Sequence, residues 1–161
     1  MVKVRFLLSL GLVGLLMFTS CAKDSSTSTS TDSYTFTAKV DGTAWDGTAT
    51  AVASNKSLGG LQPFTLSGYA NGLTIGLSVA QLSDTGSRGF DAQFRFNTAT
   101  ITDGSKTWST AYGSSWDNGT IHITKLTSTM AEGTFDFTAI NSSDTTNKRR
   151  VTDGKFTVKL Q

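Results

Sequence analysis

The feature of this sequence that most constrains its fold is an alternation of apolar and polar residues with a period of two, interrupted by dipeptides that favour tight turns. Residues 73–79 alternate without a break between large apolar side chains and Thr, Gly or Ser. Asn71-Gly72 lies directly before them, and these residue types readily adopt the positive φ angles of a two-residue hairpin turn. Phe64 and Leu66 share one face of the segment before that turn. We therefore expect a β-hairpin here.

The same period recurs along the chain and predicts further strands. Asp-Gly dipeptides at 41–42 and 103–104 mark two more hairpin turns, and a third at 153–154 precedes the closing strand. Residues 80–89 and 141–150 are predicted to form loops, and we expect the second loop to be mobile. The other segments with apolar residues at alternate positions are 34–40, 49–54, 90–96, 121–124, 135–138 and 156–160.

Together these segments predict an all-β fold, an antiparallel β-sandwich of about 8–10 short strands joined mainly by hairpins. An up-and-down, lipocalin-like barrel is the structural alternative. Eight of the ten phenylalanines follow the N-terminal region and are expected to supply much of the interior, and Trp45 and Trp108 fall in strand contexts that favour the core. Beyond the N-terminal region the sequence shows no convincing helical period.

The N-terminal region has the organisation of an export signal. Lys3 and Arg5 precede an apolar segment of 13 residues, 6–18, which has the length of a cleavable signal and is too short to span a bilayer. Residues 18–21 read Phe-Thr-Ser-Cys and resemble the lipobox of bacterial lipoproteins. That resemblance implies cleavage before Cys21, the only cysteine, and lipidation of Cys21, with several acyl chains forming a stable anchor. A plain secretory signal with a free thiol is the alternative.

Three regions follow from this interpretation. Residues 1–20 are predicted to be a lipoprotein signal peptide, residues 21–33 the acylated cysteine with a disordered Ser/Thr-rich tether, and residues 34–161 a single all-β domain. A flexible tether of this length spans about 20 Å. Ala22, rather than Asp, follows the cysteine, which by analogy with known sorting rules favours the outer membrane. We expect a lipid-anchored protein there, facing the periplasm or the cell surface.

The charge balance and the cysteine count narrow the possible partners. Lys3 and Arg5 account for the formal charge of +2, so the chain that remains after cleavage is close to neutral. A basic surplus that would attract a phosphate backbone is missing, and we expect no nucleic-acid binding. With a single cysteine no intramolecular disulfide can form, so the stability of the domain has to come from packing.

The sequence offers little of the chemistry that enzymes and metal sites require. His122 is the only histidine available as a catalytic base, and it is predicted to lie on the solvent face of a strand. Asp103, Asp117 and Asp153 sit in Gly-containing turns, but none matches the acidic spacing of an EF-hand loop. Glu132 is the sole glutamate, and nothing in the sequence pairs two carboxylates as a glycosidase would need. We therefore predict no catalytic residue, no metal site and no cofactor.

One segment has the residue types of a sugar-binding platform. Tyr112, Trp116 and Asn118 cluster in a region rich in Gly and Ser, where burial of the rings is not guaranteed. An exposed ring can stack against the apolar face of a pyranose while polar neighbours bind its hydroxyl groups. The three residues are therefore candidate glycan-binding residues, with a Trp116 that folds back to cover the end of the sandwich as the alternative.

Segments near both ends of the domain resemble a group of small lipoproteins from Bacteroidota that is classed only as a domain of unknown function. The first is residues 36–45, FTAKVDGTAW, and the second is residues 133–139, GTFDFTA, with residues 151–156, VTDGKF, after it. Residues 119–126, GTIHITKL, fit the same pattern. The resemblance implies the fold class and an envelope location, and it implies no activity and no site residue.

These observations favour a membrane-anchored, non-catalytic binding or structural module of the cell envelope. Its expected partners are the membrane, through the lipid on Cys21, and a glycan or an envelope protein. A glycan-binding surface protein is one alternative. A carboxylate-dependent hydrolase and a carrier of a small lipophilic ligand are the others, and they would require a pair of facing carboxylates and an apolar cavity, respectively.

Overall fold

The structure, a computed structural model, describes residues 33–57, 60–91, 96–112 and 118–161. The predicted signal peptide, Cys21, most of the tether, Trp116 and Asp117 lie outside these residues. The described part is an all-β domain, as predicted, with two short 3₁₀ turns at Thr48–Thr50 and Thr110–Tyr112. Within the same ranges no helix is long and apolar enough to cross a membrane.

Eleven strands are present in the described residues, slightly more than the 8–10 that the sequence predicts, and four of them contain only three or four residues. The strands are β1 (Thr35–Val40), β2 (Thr43–Asp46), β3 (Val52–Asn55), β4 (Phe64–Ala70), β5 (Leu73–Val79), β6 (Gly86–Gly89), β7 (Asn97–Thr102), β8 (Thr107–Ser109), β9 (Gly119–Leu126), β10 (Met130–Asn141) and β11 (Lys148–Lys159).

All pairs of neighbouring strands are antiparallel, and they form one open sheet that folds over itself. Sheet I comprises β2, β1, β11, β10, β9 and β6, and sheet II comprises β8, β7, β5, β4 and β3, in order of pairing. The long strand β10 joins them, because Ala131–Phe137 of β10 pair with β9 while Ile140 and Asn141 pair with β8. The architecture agrees with the predicted β-sandwich.

The inward halves of both sheets form one apolar core. Phe64 of β4 meets Phe156 of β11 across the interior, with ring centroids 5.9 Å apart. Phe36 packs edge-on against Trp45 at 5.0 Å, and Trp108 is likewise buried. Aromatic pairs of this geometry add packing energy to the burial of their surface. The prediction that Trp45 and Trp108 belong to the core is confirmed.

The tight turns follow the predicted chemistry. Asp41 and Gly42 have φ angles of 49° and 83°, and the turn at Asn71 and Gly72 has 52° and 78°. Both positions of each turn therefore occupy the left-handed region, where Gly, Asn and Asp are least strained. The hairpins β1–β2, β4–β5 and β7–β8 are all present.

The prediction of a loop over residues 80–89 is wrong, because this segment contains β6. This strand pairs with β9, and its sequence Gly-Ser-Arg-Gly lacks apolar alternation because it contributes backbone hydrogen bonds rather than core side chains. The strand predicted for 90–96 also differs. Phe90 is buried but follows β6, Phe96 is 64% exposed, and residues 92–95 lie outside the described ranges.

The predictions of a loop over residues 141–150 and of a hairpin turn at residues 153–154 also differ from the structure. β11 begins at Lys148, so the polar loop is confined to residues 142–147. Asp153 and Gly154 lie inside β11 rather than at a turn, and Asp153 has a φ angle of 54°. The pairing of β11 with β1 and with β10 changes register around this point, so the dipeptide forms a β-bulge.

The strand register shows at which end of the sandwich the chain enters the domain. Thr35 pairs with Thr157 near the end of β11, so the chain enters the domain at the end that contains the β9–β10 turn. We call this the tether end. The turns at 41–42, 71–72 and 103–106 and the loop 142–147 gather at the opposite end, which we call the distal end.

A polar cleft at the distal end

A cleft of about 510 Å³ opens at the distal end around the side chain of Tyr112. Its walls are the β7–β8 turn, the 3₁₀ turn that follows β8, and the loop 142–147. The Tyr112 ring is 43% exposed, and the remaining lining is polar. The other residues of the lining are Ser105, Lys106, Thr107, Asn141, Ser142, Ser143, Asp144 and Asn147.

One wall of this distal cleft is fixed by Asp103. Its Oδ1 accepts hydrogen bonds from the backbone N–H of Lys106 at 2.8 Å and from that of Ser105 at 3.1 Å. These two N–H groups stabilise the carboxylate and hold the pKa of Asp103 below its ordinary value. Asp103 therefore acts as the turn-forming residue that places Lys106 and Ser105 at the rim.

The opposite wall is fixed in the same manner by Asp144. Its Oδ1 accepts a hydrogen bond from the Thr146 hydroxyl at 2.6 Å and another from the Thr146 N–H at 3.0 Å. The hydroxyl and the N–H lower the pKa of Asp144, which stays ionised in mildly acidic solution. Asn141 anchors the start of this loop, because its Oδ1 accepts from Ser143 N–H at 2.9 Å and its Nδ2 donates to the Thr107 carbonyl at 3.2 Å.

Trp108 connects this loop to the core. Its ring is buried, and its Nε1 donates a hydrogen bond to Oδ1 of Asn147 at 3.0 Å. The guanidinium of Arg149 lies over the ring, 4.7 Å from its centroid, and also forms an ion pair with Asp41 at 3.4 Å. The cleft is thus held in shape by hydrogen bonds from both sheets, as a ligand site that binds without large rearrangement requires.

The three predicted glycan-binding residues have different outcomes. Tyr112 is exposed and lines the distal cleft, as the prediction requires. Asn118 is only 7% exposed, its Nδ2 donates to the Thr110 carbonyl at 2.8 Å, and it does not line the distal cleft. Trp116 lies outside the described residues. The residues of the loop 142–147 were missed because they follow Tyr112 by about thirty positions in the sequence.

His122 is exposed on β9, as predicted. Its Nδ1 lies 2.9 Å from the Oγ of Ser87 on β6, so a potential nucleophile adjoins a potential base on the outer side of sheet I. Among the described residues no carboxylate is hydrogen-bonded to the ring, and the third group that orients a catalytic imidazole is missing from this pair.

Two carboxylates, Asp46 and Asp153, line a second cleft of about 330 Å³ beside Trp45. Asp153 forms an ion pair with Lys39 at 3.0 Å. The hydroxyl and the N–H of Thr48 hold the pKa of Asp46 below its ordinary value. A glycosidase needs one carboxyl group with a raised pKa as its general acid, and Asp46 is shifted in the other direction.

A third cleft of about 640 Å³ lies at the tether end, and Asn55, Leu82 and Leu160 are among its lining residues. Asn55 Nδ2 donates to the Leu82 carbonyl at 3.2 Å, while its Oδ1 is buried and accepts no hydrogen bond from any of the described residues. The lining contains no aromatic residue, so this cleft lacks the stacking surface that distinguishes the distal cleft.

The described residues contain no cluster of three His, Cys, Asp or Glu side chains that could hold a metal ion. Of the three aspartates considered for calcium, Asp103 closes a turn and Asp153 pairs with Lys39, while Asp117 lies outside the described ranges.

Comparison with known proteins identifies a family and nothing more specific. A family model described as "Domain of unknown function (DUF6252)" matches residues 32–158, which is more than three quarters of the chain. No curated protein and no solved structure matches. The sequence resemblance to an uncharacterised family is therefore confirmed at that level.

Proposed function

The chain belongs to the family described as Domain of unknown function (DUF6252), and we propose that it is a membrane-anchored, non-catalytic binding module of the cell envelope whose distal cleft binds a glycan. The observation that carries the proposal is the exposed ring of Tyr112 among hydroxyl and amide groups. A sugar presents an apolar face and a rim of hydroxyl groups, and this lining matches both.

The position of the distal cleft suits an anchored receptor. The proposed lipid on Cys21 leads through the tether to Thr35, at the tether end of the sandwich. β10 and β11 contain 12 residues each and span the domain over about 40 Å, so the distal cleft lies at the end of the domain opposite Thr35. An envelope location, by preference the outer membrane, is proposed from the lipobox-like residues 18–21 and from Ala22.

The other candidate functions have weaker support. A carboxylate-dependent hydrolase would use Asp46 and Asp153, yet the pKa of Asp46 is lowered by hydrogen bonds from Thr48, and Asp153 is engaged in an ion pair with Lys39. A carrier of a lipophilic ligand would need an apolar void between the sheets. Phe64 and Phe156 meet there instead, and Phe36 and Phe135 pack beside them.

The glycan proposal is tested with the substitution Tyr112→Ala. The full-length chain in detergent is applied to an array of bacterial and plant glycans, and the affinity for the strongest ligand is then measured by calorimetry. We expect Tyr112→Ala to weaken binding about tenfold or more, because the stacking surface is lost.

Tyr34→Ala is the matched control for this experiment. Tyr34 is 42% exposed, close to the value for Tyr112, but it precedes β1 at the tether end. Its removal should leave the affinity unchanged. Equal affinities of Tyr112→Ala and the wild type would exclude the distal cleft as the binding site.

The anchoring proposal is tested separately with Cys21→Ser. The full-length chain is produced in a Gram-negative host that is fed an alkyne analogue of palmitate. The wild-type protein should carry the label and sediment with membranes, and Cys21→Ser should lose both properties. A wild-type protein that is exported without label would show that residues 1–20 are a plain secretory signal.

A further inference from the structure

The charged residues of the strands are segregated between the two sheets. Every strand of sheet I contains at least one Asp, Glu, Lys or Arg, and β11 alone contains six. No strand of sheet II contains any. Charged side chains are the usual means by which an exposed sheet stays soluble and unpaired, so a charge-free sheet is unusual and calls for a physical reason.

Hydroxyl groups predominate among the outward side chains of β4, β5, β7 and β8 and lie in register, whereas β3, at the edge of sheet II, adds the exposed Val52. Along β4, β5 and β7 the inward positions are filled by buried residues such as Leu66, Ile75 and Ile101, so the alternate positions face outward. We call the outward side of β4, β5, β7 and β8 the hydroxyl face. Its first row across the strands is Thr65, Ser78 and Thr98. Its second row is Ser67, Gly76 and Thr100, and its third row is Tyr69, Thr74, Thr102 and Thr107.

These hydroxyl groups are free to bind a ligand. Thr100 donates to the Gly76 carbonyl over a long distance of 3.5 Å. Among the described residues, no hydrogen bond engages the hydroxyl groups of the other Ser and Thr residues in the three rows. The third row ends in the ring of Tyr69, which is 56% exposed. The face therefore offers donors, acceptors and one stacking surface without any charge.

The hydroxyl face continues into the distal cleft. Thr107 ends the third row and also lines the cleft. Adjacent strands lie about 4.8 Å apart, so the third row extends about 14 Å from Thr107 to Tyr69. A ligand that occupies the cleft and is long enough would pass directly onto this row.

We propose that the hydroxyl face binds an extended, neutral polysaccharide whose chain continues from the distal cleft along the row from Thr107 to Tyr69. This inference rests on the proposed glycan site and names its ligand class. A neutral polymer is favoured because the face has no charged group to compensate a charge on the ligand. The hydroxyl groups of a neutral polysaccharide can exchange hydrogen bonds with those of the face along the whole length of the row.

A second copy of the chain fits this surface less well. The outward side of sheet II measures roughly 24 Å by 20 Å, or about 500 Å², which is less than the roughly 800 Å² per partner of a stable dimer. Interface cores are also enriched in aromatic residues and depleted in Ser, and the hydroxyl face has one exposed ring, Tyr69.

The test compares polymer and oligosaccharide binding by the full-length chain in detergent. Affinity electrophoresis with mixed-linkage β-glucan, xyloglucan and starch identifies a neutral polymer that retards the protein, and alginate serves as the anionic counterpart. We expect retardation by at least one neutral polymer and none by alginate. A four-unit fragment of that polymer should bind at least about fivefold more weakly than the polymer itself, because it fills the cleft alone.

Ser67→Lys introduces a charge on the β4 side of the hydroxyl face, in the row next to Tyr69, and Thr124→Lys introduces one at an exposed position of β9 in sheet I. Ser67→Lys should weaken polymer binding about fivefold and leave fragment binding unchanged, while Thr124→Lys should change neither. Polymer binding by Ser67→Lys equal to that of the wild type overturns the inference and leaves the cleft proposal intact. Loss of both polymer and fragment binding in Tyr112→Ala supports the cleft independently of the face.

Two further outcomes would overturn the inference. If the wild type binds the fragment as tightly as the polymer, the ligand ends within the cleft. If light scattering shows a wild-type dimer that Ser67→Lys converts to a monomer, the occupant of the hydroxyl face is a second copy of the chain. A protein that binds neither polymer nor fragment contradicts the proposed function itself.

Discussion

The two sheets of this sandwich share one core and differ completely on their outer sides. Sheet I presents exposed ion pairs, such as Lys39 with Asp153 at 3.0 Å and Lys125 with Glu132 at 3.1 Å. Sheet II presents Thr and Ser in register without a charge. Because alternate residues of a strand face opposite sides, the inward half of each strand can satisfy the core while the outward half varies independently.

The difference indicates that the need for solubility alone does not explain the residue composition of both outer surfaces. Exposed ion pairs contribute little to stability, so the charges of sheet I are best understood as a hydrated surface that resists association. The outer side of sheet II lacks this protection, which is consistent with a surface kept clear for an uncharged ligand. Three sets of substitutions test how far the contrast between the sheets extends. They change a glycine in each sheet, then Trp108, which links sheet II to the loop 142–147, and finally the aspartates Asp46 and Asp103.

The largest effect is expected from a matched pair of glycine substitutions. Gly133 of sheet I is buried under Phe156, and a Cβ atom there would lie 2.7 Å from Phe156 Cζ and closer still to the His122 carbonyl oxygen. We expect Gly133→Ala to lower the free energy of unfolding by about 2–3 kcal/mol, because neither the backbone nor the packed ring can move freely. Urea denaturation of the full-length chain in detergent measures this change.

Gly76→Ala is the counterpart in sheet II. A Cβ atom at Gly76 would meet only the Thr100 hydroxyl oxygen, at 2.8 Å, and that side chain can rotate away. The added methyl group also reduces the freedom of the unfolded chain, so the net change should stay below about 1 kcal/mol. Equal destabilisation by both substitutions would show that the outer side of sheet II is as tightly constrained as the core of sheet I.

An intermediate effect is expected at Trp108, which links sheet II to the loop 142–147 of sheet I. Trp108→Phe removes the hydrogen bond from Nε1 to Asn147 and should lower the free energy of unfolding by about 1 kcal/mol. The loop forms one wall of the distal cleft, so we also expect glycan affinity to fall about threefold. Calorimetry with the glycan identified for the wild type checks the second effect.

Trp45→Phe provides the control for Trp108→Phe. Its Nε1 donates to the Ala70 and Leu73 carbonyl groups, at 3.1 Å and 3.2 Å, at the β4–β5 turn, which lies at the distal end but contributes no residue to the lining of the distal cleft. The loss of stability should therefore be similar, and the glycan affinity should not change. If both variants lose affinity to the same extent, the change reflects general loosening of the domain rather than the wall of the cleft.

The sequence predicts the core of both sheets better than their outer sides. Alternation and tight-turn dipeptides are local signals, and they correctly place the hairpin around Asn71-Gly72 and the burial of Trp45 and Trp108. The short strand β6 escapes prediction because it has no apolar residue, and its partner β9 lies more than thirty residues further along the chain. An edge strand is defined by backbone pairing, which composition does not reveal.

The candidate site is predicted in part for the same reason. Tyr112 is found because an aromatic residue in a Gly- and Ser-rich segment is a local signal. Asn118 has the same signal but is drawn inward by its hydrogen bond to the Thr110 carbonyl. The opposite wall, around Asp144, follows from the return of β10 to pair with β8, a contact between distant segments that periodicity does not encode.

The smallest expected effect is on the stability of the domain at low pH. It tests whether the contrast between the sheets extends to their turns. Asp46 follows Trp45 in sheet I, and Asp103 closes the β7–β8 turn of sheet II. Hydrogen bonds from Thr48 lower the pKa of Asp46, and the N–H groups of Lys106 and Ser105 lower that of Asp103. A lowered folded-state pKa adds stability that is present above the ordinary value of 3.8 and is lost as the pH falls through the folded-state pKa.

We therefore expect the urea midpoint of the wild type to fall as the pH is lowered from 4 to 2, and the fall to be smaller in Asp46→Asn and in Asp103→Asn. Because both sheets would then have an acid-sensitive turn, similar effects at Asp46 and Asp103 would restrict the contrast between the sheets to their outer faces. An effect at Asp46 alone would extend the contrast between the sheets to their turns. The stability contributed by sheet II would then depend on pH neither through its outer face nor through the β7–β8 turn.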